Sequence, residues 1–463
     1  MRVAILFAGI LVLGVLAGCS TPAQPPPPAP PAPAPILIGE GDLRLPVSLG
    51  PLRQGDIPSF PIFADRPTNM TGPGSSHRET SLAVSPADTR VVLACDPSGV
   101  PNVSGGQSYF YLSTDNGTKW TDLKVEGTTD PRRATFEGGD CDVAIDAAGT
   151  LYTADTWLGD LSIGSSKDNG NTWTVGNAAA GTAPVIDRPW IVGGPAGTLY
   201  LTYQDVQFGM PSLIWFTKST DYGLTFLPAV PVATATADGP YTWEGNFAPS
   251  ADGTDLYSVY TRRETGVVGS PVASDAESVF VSASHDGGLS WTSHLVSKRT
   301  VSASYLYPSI GLDAGGQLHV VFSQATENGQ PIWYSTSKDQ GVAWSEPIPL
   351  VPGTVGFSPW IAGGQAGQAF AIWEASPDGG ATFGNDADWY LYWARISNGT
   401  IITGTTTAAP VFHGKQSVGF AEFDTVRLDK DGFAHIGASM PQGKANNVHW
   451  QAMYQRQALG PPT

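Results

Sequence analysis

Three cysteines in 463 residues cannot build a disulfide-stapled scaffold, and neither a Cys-x-x-Cys pair nor a histidine cluster offers a zinc site. Basic residues are also scarce. Only 24 Lys and Arg face 41 Asp and Glu, for a formal charge of −17. Such a surface repels phosphate backbones and anionic headgroups, which excludes nucleic acid as a partner. Sustained 3.6-residue periodicity is missing after residue 18, so no long amphipathic helix is expected. What the chain does have is 55 glycines and 10% aromatic residues, a composition suited to short strands and tight turns.

One octet, Ser-x-Asp-x-Gly-x-x-Trp/Phe, occurs five times, at residues 113–120, 166–173, 219–226, 284–291 and 337–344. Its aspartates are Asp115, Asp168, Asp221, Asp286 and Asp339, a period of 53 residues broken once by 65. A fixed period near fifty means an array of similar supersecondary units. Each residue type fits a turn. The Asp accepts backbone N–H groups one or two residues ahead, the Gly supplies a positive φ, and the aromatic side chain closes the turn by packing. Upstream of each octet lies a second repeat, a short apolar strand, a turn and a longer apolar strand. Seven copies span residues 81–95, 142–154, 190–203, 247–260, 310–322, 361–373 and 426–436. The last two copies lack a clean octet, and Ser397-Asn398-Gly399 is a remnant of one.

The octet resembles the Asp-box, or BNR repeat, of the sialidase superfamily, over roughly residues 75–457. The resemblance implies an all-β fold, a β-propeller of seven blades with six as the alternative count. The boxes would lie on the face opposite the functional mouth, so their aspartates are poor catalytic candidates. Closing the last blade needs a strand from the other end of the chain, which residues 36–61 can supply.

The N-terminus is a targeting segment. Arg2 precedes an apolar run, and Leu16-Ala17-Gly18-Cys19 resembles a bacterial lipobox, which implies cleavage before Cys19 and its lipidation. The expected organisation is a signal peptide over 1–18, a lipidated, Pro-rich tether over 19–35 and the propeller over 36–463. This places the protein outside the cytoplasm, held to a bacterial membrane through lipid alone. Cys95 and Cys141 are then an even pair in an oxidising compartment, on adjacent blades, and are expected to form a disulfide. Two buried thiols are the alternative.

Aligning the inner strands gives one equivalent leading position per blade: Glu79, Asp140, Arg188, Glu244, Tyr307, Ser358 and Phe423. By resemblance these sit at the mouth. Sialidases use a Tyr nucleophile with a Glu, an Asp acid/base and three arginines that fork onto the substrate carboxylate. The order Glu244, Asp252-Gly253, Arg262, then the 284–291 octet is similar to the family's. The implied catalytic set is Tyr305 or Tyr307, Glu244 and Asp96, with Arg78, Arg188, Arg262 and Trp243 on the substrate. The family's Arg-Ile/Val-Pro motif is absent, and Arg188-Pro189 is the nearest match. Trp157, Trp190, Trp243 and Trp360 are candidates for stacking on sugar rings. No cofactor is required, although Asp140, Asp142, Asp155, Asp187 and Asp205 offer hard oxygen ligands to Ca²⁺. A glycan or glycoconjugate is the expected partner, an envelope protein the alternative, and the chain is expected to be a monomer. Function divides between exo-sialidase-type glycoside hydrolysis and a non-catalytic binding propeller.

Overall fold

The computed structural model describes residues 62–63, 68–70, 79–97, 108–123, 138–157, 160–177, 186–205, 213–233, 242–263, 277–298, 307–326, 328–379, 381, 385–415, 423–444, 447–459 and 463. These form seven antiparallel sheets and no helix, arranged as a seven-bladed β-propeller. In six of the sheets the strands form a meander in chain order from the axis outwards. In blade I the order is Ser81–Val84, Val92–Pro97, Ser108–Ser113 and Thr121–Asp122. The inner strands of blades II to VII are Gly138–Ile145, Ile186–Gly193, Thr242–Pro249, Ser309–Leu312, Val355–Gly363 and Thr425–Leu428.

Blade VII closes the ring. Its third strand, Asn447–Leu459, pairs with Ile62–Phe63 and Thr68–Asn69 from the other end of the chain. The closing strand therefore lies just beyond the expected 36–61 stretch, and those residues fall outside the described ones. Pairing with this distant segment covers part of the outer edge of the third strand.

The octets join third to fourth strands, and their geometry departs from the expected turn. In 113–120 the Asp115 carboxylate accepts the N–H groups of Thr118 and Lys119, three and four residues ahead. The Ser113 hydroxyl donates to Asp115 and accepts the Gly117 N–H. Two consecutive left-handed residues, Asn116 (φ 61) and Gly117 (φ 78), curl the chain enough to bring those amides round. The Trp120 indole donates to the Gly117 carbonyl. The same bonds recur around Asp286, and around Asp168 with only the fourth amide, Thr172, on the carboxylate. In blade VI the remnant Asn398-Gly399 (φ 48 and 84) is a two-residue hairpin turn.

Inner strands are stitched to one another by the side chain just ahead of their first apolar residue. The Ser81 hydroxyl donates to Asp142, whose other oxygen accepts the Ile191 N–H at 2.8 Å. The Asn246 carbonyl accepts the Ile310 N–H, Ser309 accepts that of Ile361, and Thr425 accepts that of Leu82. In blades III and VI the same position carries Trp190 and Trp360. Their ring centroids are 5.1 Å apart, and Phe423 lies 4.8 Å from Trp190. All three are buried, so an aromatic plug fills the space between blades III, VI and VII.

Candidate functional site

Each inner strand starts at one end of the ring. The turns after first and third strands, octets included, lie at the other. The mouth is thus built from the starts of first strands and the ends of second strands. At three of the seven leading positions a side chain is presented from a left-handed residue, Glu79 (φ 61), Arg188 (φ 51) and Ser358 (φ 51). Residues with a Cβ resist that conformation, and the pairing register slips beside two of them, at 187–190 and 357–360. Such a bulge re-aims the side chain it carries, and strain of this kind concentrates at functional positions.

Arg188 is where it matters. Its guanidinium carbon sits 3.9 Å from the centre of the Tyr307 ring, and its Nη2 donates to the phenol oxygen at 2.5 Å. Asp140 lies 3.8 Å from Nη1, with 19% of its side chain exposed. Three leading positions, from blades II, III and V, therefore converge. A fourth, Glu244 of blade IV, is sealed from solvent, and neither carboxyl oxygen has a hydrogen-bond partner. Burial drives its pKa well above the ordinary carboxylate value. The charge of Arg188 and the nearby Thr202 hydroxyl ease the shift and Asp187 adds to it. Thr202 is close enough to act on the carboxyl yet forms no hydrogen bond of regular geometry with it.

The opposite side of the mouth holds a second acidic feature. Glu374, at the end of blade VI's second strand Gln368–Ser376, and Asp424, just before blade VII's inner strand, are buried against each other. Burial first, then the Asp424 charge, pushes Glu374 well up. Burial raises Asp424 to about 7, opposed by the Ser439 N–H it accepts at 2.9 Å. Two carboxyls in one dry pocket hold a proton between them. Glu374 was visible in the sequence as a second-strand end, whereas nothing local marks Asp424 as its partner.

No protein-family profile and no curated protein matches the chain. Solved structures of similar shape exist. An α-L-arabinofuranosidase from Fusarium graminearum in complex with an iminosugar inhibitor superposes with a TM-score of 0.45 at 13% identity, covering 85% of this chain and 96% of that one. A polysaccharide lyase acting on ulvan gives 0.49 at 12%, over 86% and 95%. An intramolecular trans-sialidase from Ruminococcus gnavus with oseltamivir carboxylate gives 0.42 at 15%, over 88% and 98%.

Of the residues singled out in the sequence, Tyr307, Arg188 and Glu244 come together. Arg262 does not join Arg188. It stacks on Phe280 of its own blade, 4.5 Å from the ring centre. Asp96 is fully buried on blade I. Trp243 pairs with Thr261 through the backbone, and its side chain, like that of Trp157, lies outside the described structure, as do Arg78, Tyr305 and Cys19. Trp190 and Trp360 belong to the plug, so a sugar face cannot reach them. A disulfide joins Cys95 to Cys141, with Cα atoms 6.4 Å apart. Among the described residues no three carboxylate, histidine or cysteine side chains gather as a metal site. Asp142 and Asp205 instead bind backbone amides.

Proposed function

We propose that the protein is a carbohydrate-directed propeller that cleaves glycosidic bonds at this mouth, in its specific form by exo-sialidase-type chemistry. We place it outside the cytoplasm, anchored through Cys19. The observation that carries the reading is the Arg188 guanidinium held on the ring and hydroxyl of Tyr307. A phenol is a weak nucleophile until a fixed positive charge favours its oxyanion. Glu244, kept neutral by burial, leaves that charge for Tyr307 rather than cancelling it.

In this reading the Tyr307 oxygen attacks the anomeric carbon and its proton passes to the Asp140 carboxylate. The bond to the leaving oxygen breaks with its electron pair on that oxygen, which takes the proton from Asp140. Water then attacks the sugar–tyrosine bond, giving a proton to Asp140 that returns to the departing Tyr307 oxygen. The acid/base role goes to Asp140 because it touches solvent and Arg188, while Asp96 is sealed. Glu244 is a positioning residue.

The test is hydrolysis by the full chain of a panel of fluorogenic glycosides, sialosides included. Turnover that falls in Tyr307→Phe and Asp140→Asn supports the reading. Glycan capture without turnover moves it to a binding module, and neither capture nor turnover, with an envelope protein retained instead, removes carbohydrate from the account.

A further inference from the structure

Every exposed large hydrophobic side chain among the described residues belongs to blades III to V. Three of them occupy the same octet position, the residue after the glycine: Leu224, Leu289 and Val342, exposed by 49%, 69% and 59%. The equivalents in blades I and II are the polar Thr118 and Asn171. Neighbouring octets also interlock. The Lys167 ammonium lies 3.1 Å over the Tyr222 ring, and the Lys218 ammonium donates to the Gly287 carbonyl at 3.0 Å. The apolar tips therefore stand on a fixed arc at the end of the ring away from the mouth.

The first described strand begins at that same end. Ile62 pairs with Leu459, the last residue of blade VII's third strand, while Thr68 pairs with Tyr454 further back. Tyr454 in turn packs on Trp120 of the first octet, with ring centroids 5.3 Å apart. The first described strand therefore starts at the octet end of the ring, and the sequence ahead of it carries the lipobox-like Leu16-Ala17-Gly18-Cys19.

We propose that the octet face rests on the lipid bilayer, with Leu224, Leu289 and Val342 seated in its interfacial zone. A tether alone does not orient the body it holds, since the Pro-rich residues 20–35 reach about 50 Å when extended. A second, apolar contact on the face where the first described strand begins fixes the orientation, as apolar side chains do for peripheral proteins. The mouth then points away from the membrane towards soluble or distant ligands. The inference does not depend on what the mouth does, and it fails or stands separately from the glycosidase reading.

The experiment uses the full lipid-bearing chain in phosphatidylcholine vesicles with brominated acyl chains. Acylation of Cys19 is scored independently by mass. Leu289→Trp reports on the octet face and Asp386→Trp on an exposed site at the mouth end of blade VI, each read as a difference from the wild-type chain. The added emission of Leu289→Trp should fall at least about twofold, and that of Asp386→Trp should not change. In the Cys19→Ala chain, vesicle binding should drop about tenfold on adding Leu224→Asp and Leu289→Asp. Circular dichroism checks that each variant is folded. An unquenched Leu289→Trp, or equal quenching at both sites, overturns the proposal. So does self-association abolished by the Asp substitutions without lipid quenching, which would assign the arc to a second copy.

Discussion

The Arg188 Nη2 reaches the Tyr307 hydroxyl at 2.5 Å across 119 residues of sequence, while the flat guanidinium covers the Tyr307 ring. One residue therefore binds the phenol by a hydrogen bond and by its π face at once. A lysine can do neither together, because its ammonium is a point charge without a plane. If the mouth cleaves glycosides, Arg188→Lys should lower kcat about tenfold to a hundredfold, with less effect on KM. Tyr307→Phe and Asp140→Asn should each cost at least about a hundredfold. Glu244→Gln keeps a neutral side chain of similar shape and should retain most activity. Steady-state kinetics on any glycoside turned over distinguishes these four.

Buried carboxyls set an unusual pH dependence of stability. Glu244, Glu374, Asp424 and Asp142 all have raised pKa values in the folded protein, burial being the first cause in each. The folded state then binds more protons than the unfolded one once pH exceeds the ordinary carboxylate range near 4. Their contribution is fully present below that range and is lost as pH rises, for Asp424 up to about 7. Glu374→Gln and Glu244→Gln should therefore raise the melting temperature at pH 8 and leave it almost unchanged at pH 4. An equal shift at both values would contradict the burial argument.

The octet aspartates act with the opposite sign. Hydrogen bonds from Thr225 and Ser290 hold Asp221 and Asp286 down at about 2, so their contribution is present at neutral pH and fades on acidification towards 2. Stability should consequently pass through a maximum on the acidic side of neutrality. A thermal melt series from pH 3 to 9 locates it.

Two glycines separate backbone strain from steric fit. Gly149 has φ +87 with open space around an added Cβ, whereas at Gly117 (φ +78) that atom would run into the Tyr454 ring. Gly149→Ala should cost roughly 1 to 2 kcal/mol from conformation alone. Gly117→Ala should cost that and about 1 to 3 kcal/mol more, because the Tyr454 ring, held by His435 and Trp120, must move to admit the methyl group. Denaturant unfolding measures both.

The Cys95–Cys141 disulfide spans a sequence separation of 46. Loop-closure entropy puts its contribution at about 4 kcal/mol. Cys95→Ala with Cys141→Ala should lower the denaturation midpoint accordingly, and reductant should shift the wild-type protein but not the double variant.

Legibility in the sequence followed the length scale of the signal. The five octets and the seven strand pairs are local and repeated, so the blade count and turn positions were readable, as was the pairing of Cys95 with Cys141 on neighbouring blades. The closing strand was placed a few residues too early because two-residue strands such as Ile62–Phe63 carry almost no pattern. The reach of Asp115 to the third and fourth amides follows from two adjacent left-handed residues, which Asn116-Gly117 signals but the Tyr222-Gly223 and Gln340-Gly341 copies do not. At the mouth, equivalent positions could be aligned, which brought Tyr307, Arg188, Glu244 and Asp140 into view. Whether an aligned residue faces the opening or the seam depends on bulges and neighbouring blades. Trp190 and Trp360 turned inwards, Arg262 stacked on Phe280, and Asp424 met Glu374 across a seam that periodicity cannot register.

The central claim is that a sugar becomes bonded to Tyr307. A fluorinated glycosyl fluoride that forms the glycosyl–enzyme bond quickly and hydrolyses slowly would trap that species, and peptide mass spectrometry would locate it. The account predicts a single glycosyl mass on the peptide carrying Tyr307, absent in Tyr307→Phe. Turnover that proceeds with the label on a carboxylate, or with no labelled peptide, would contradict it.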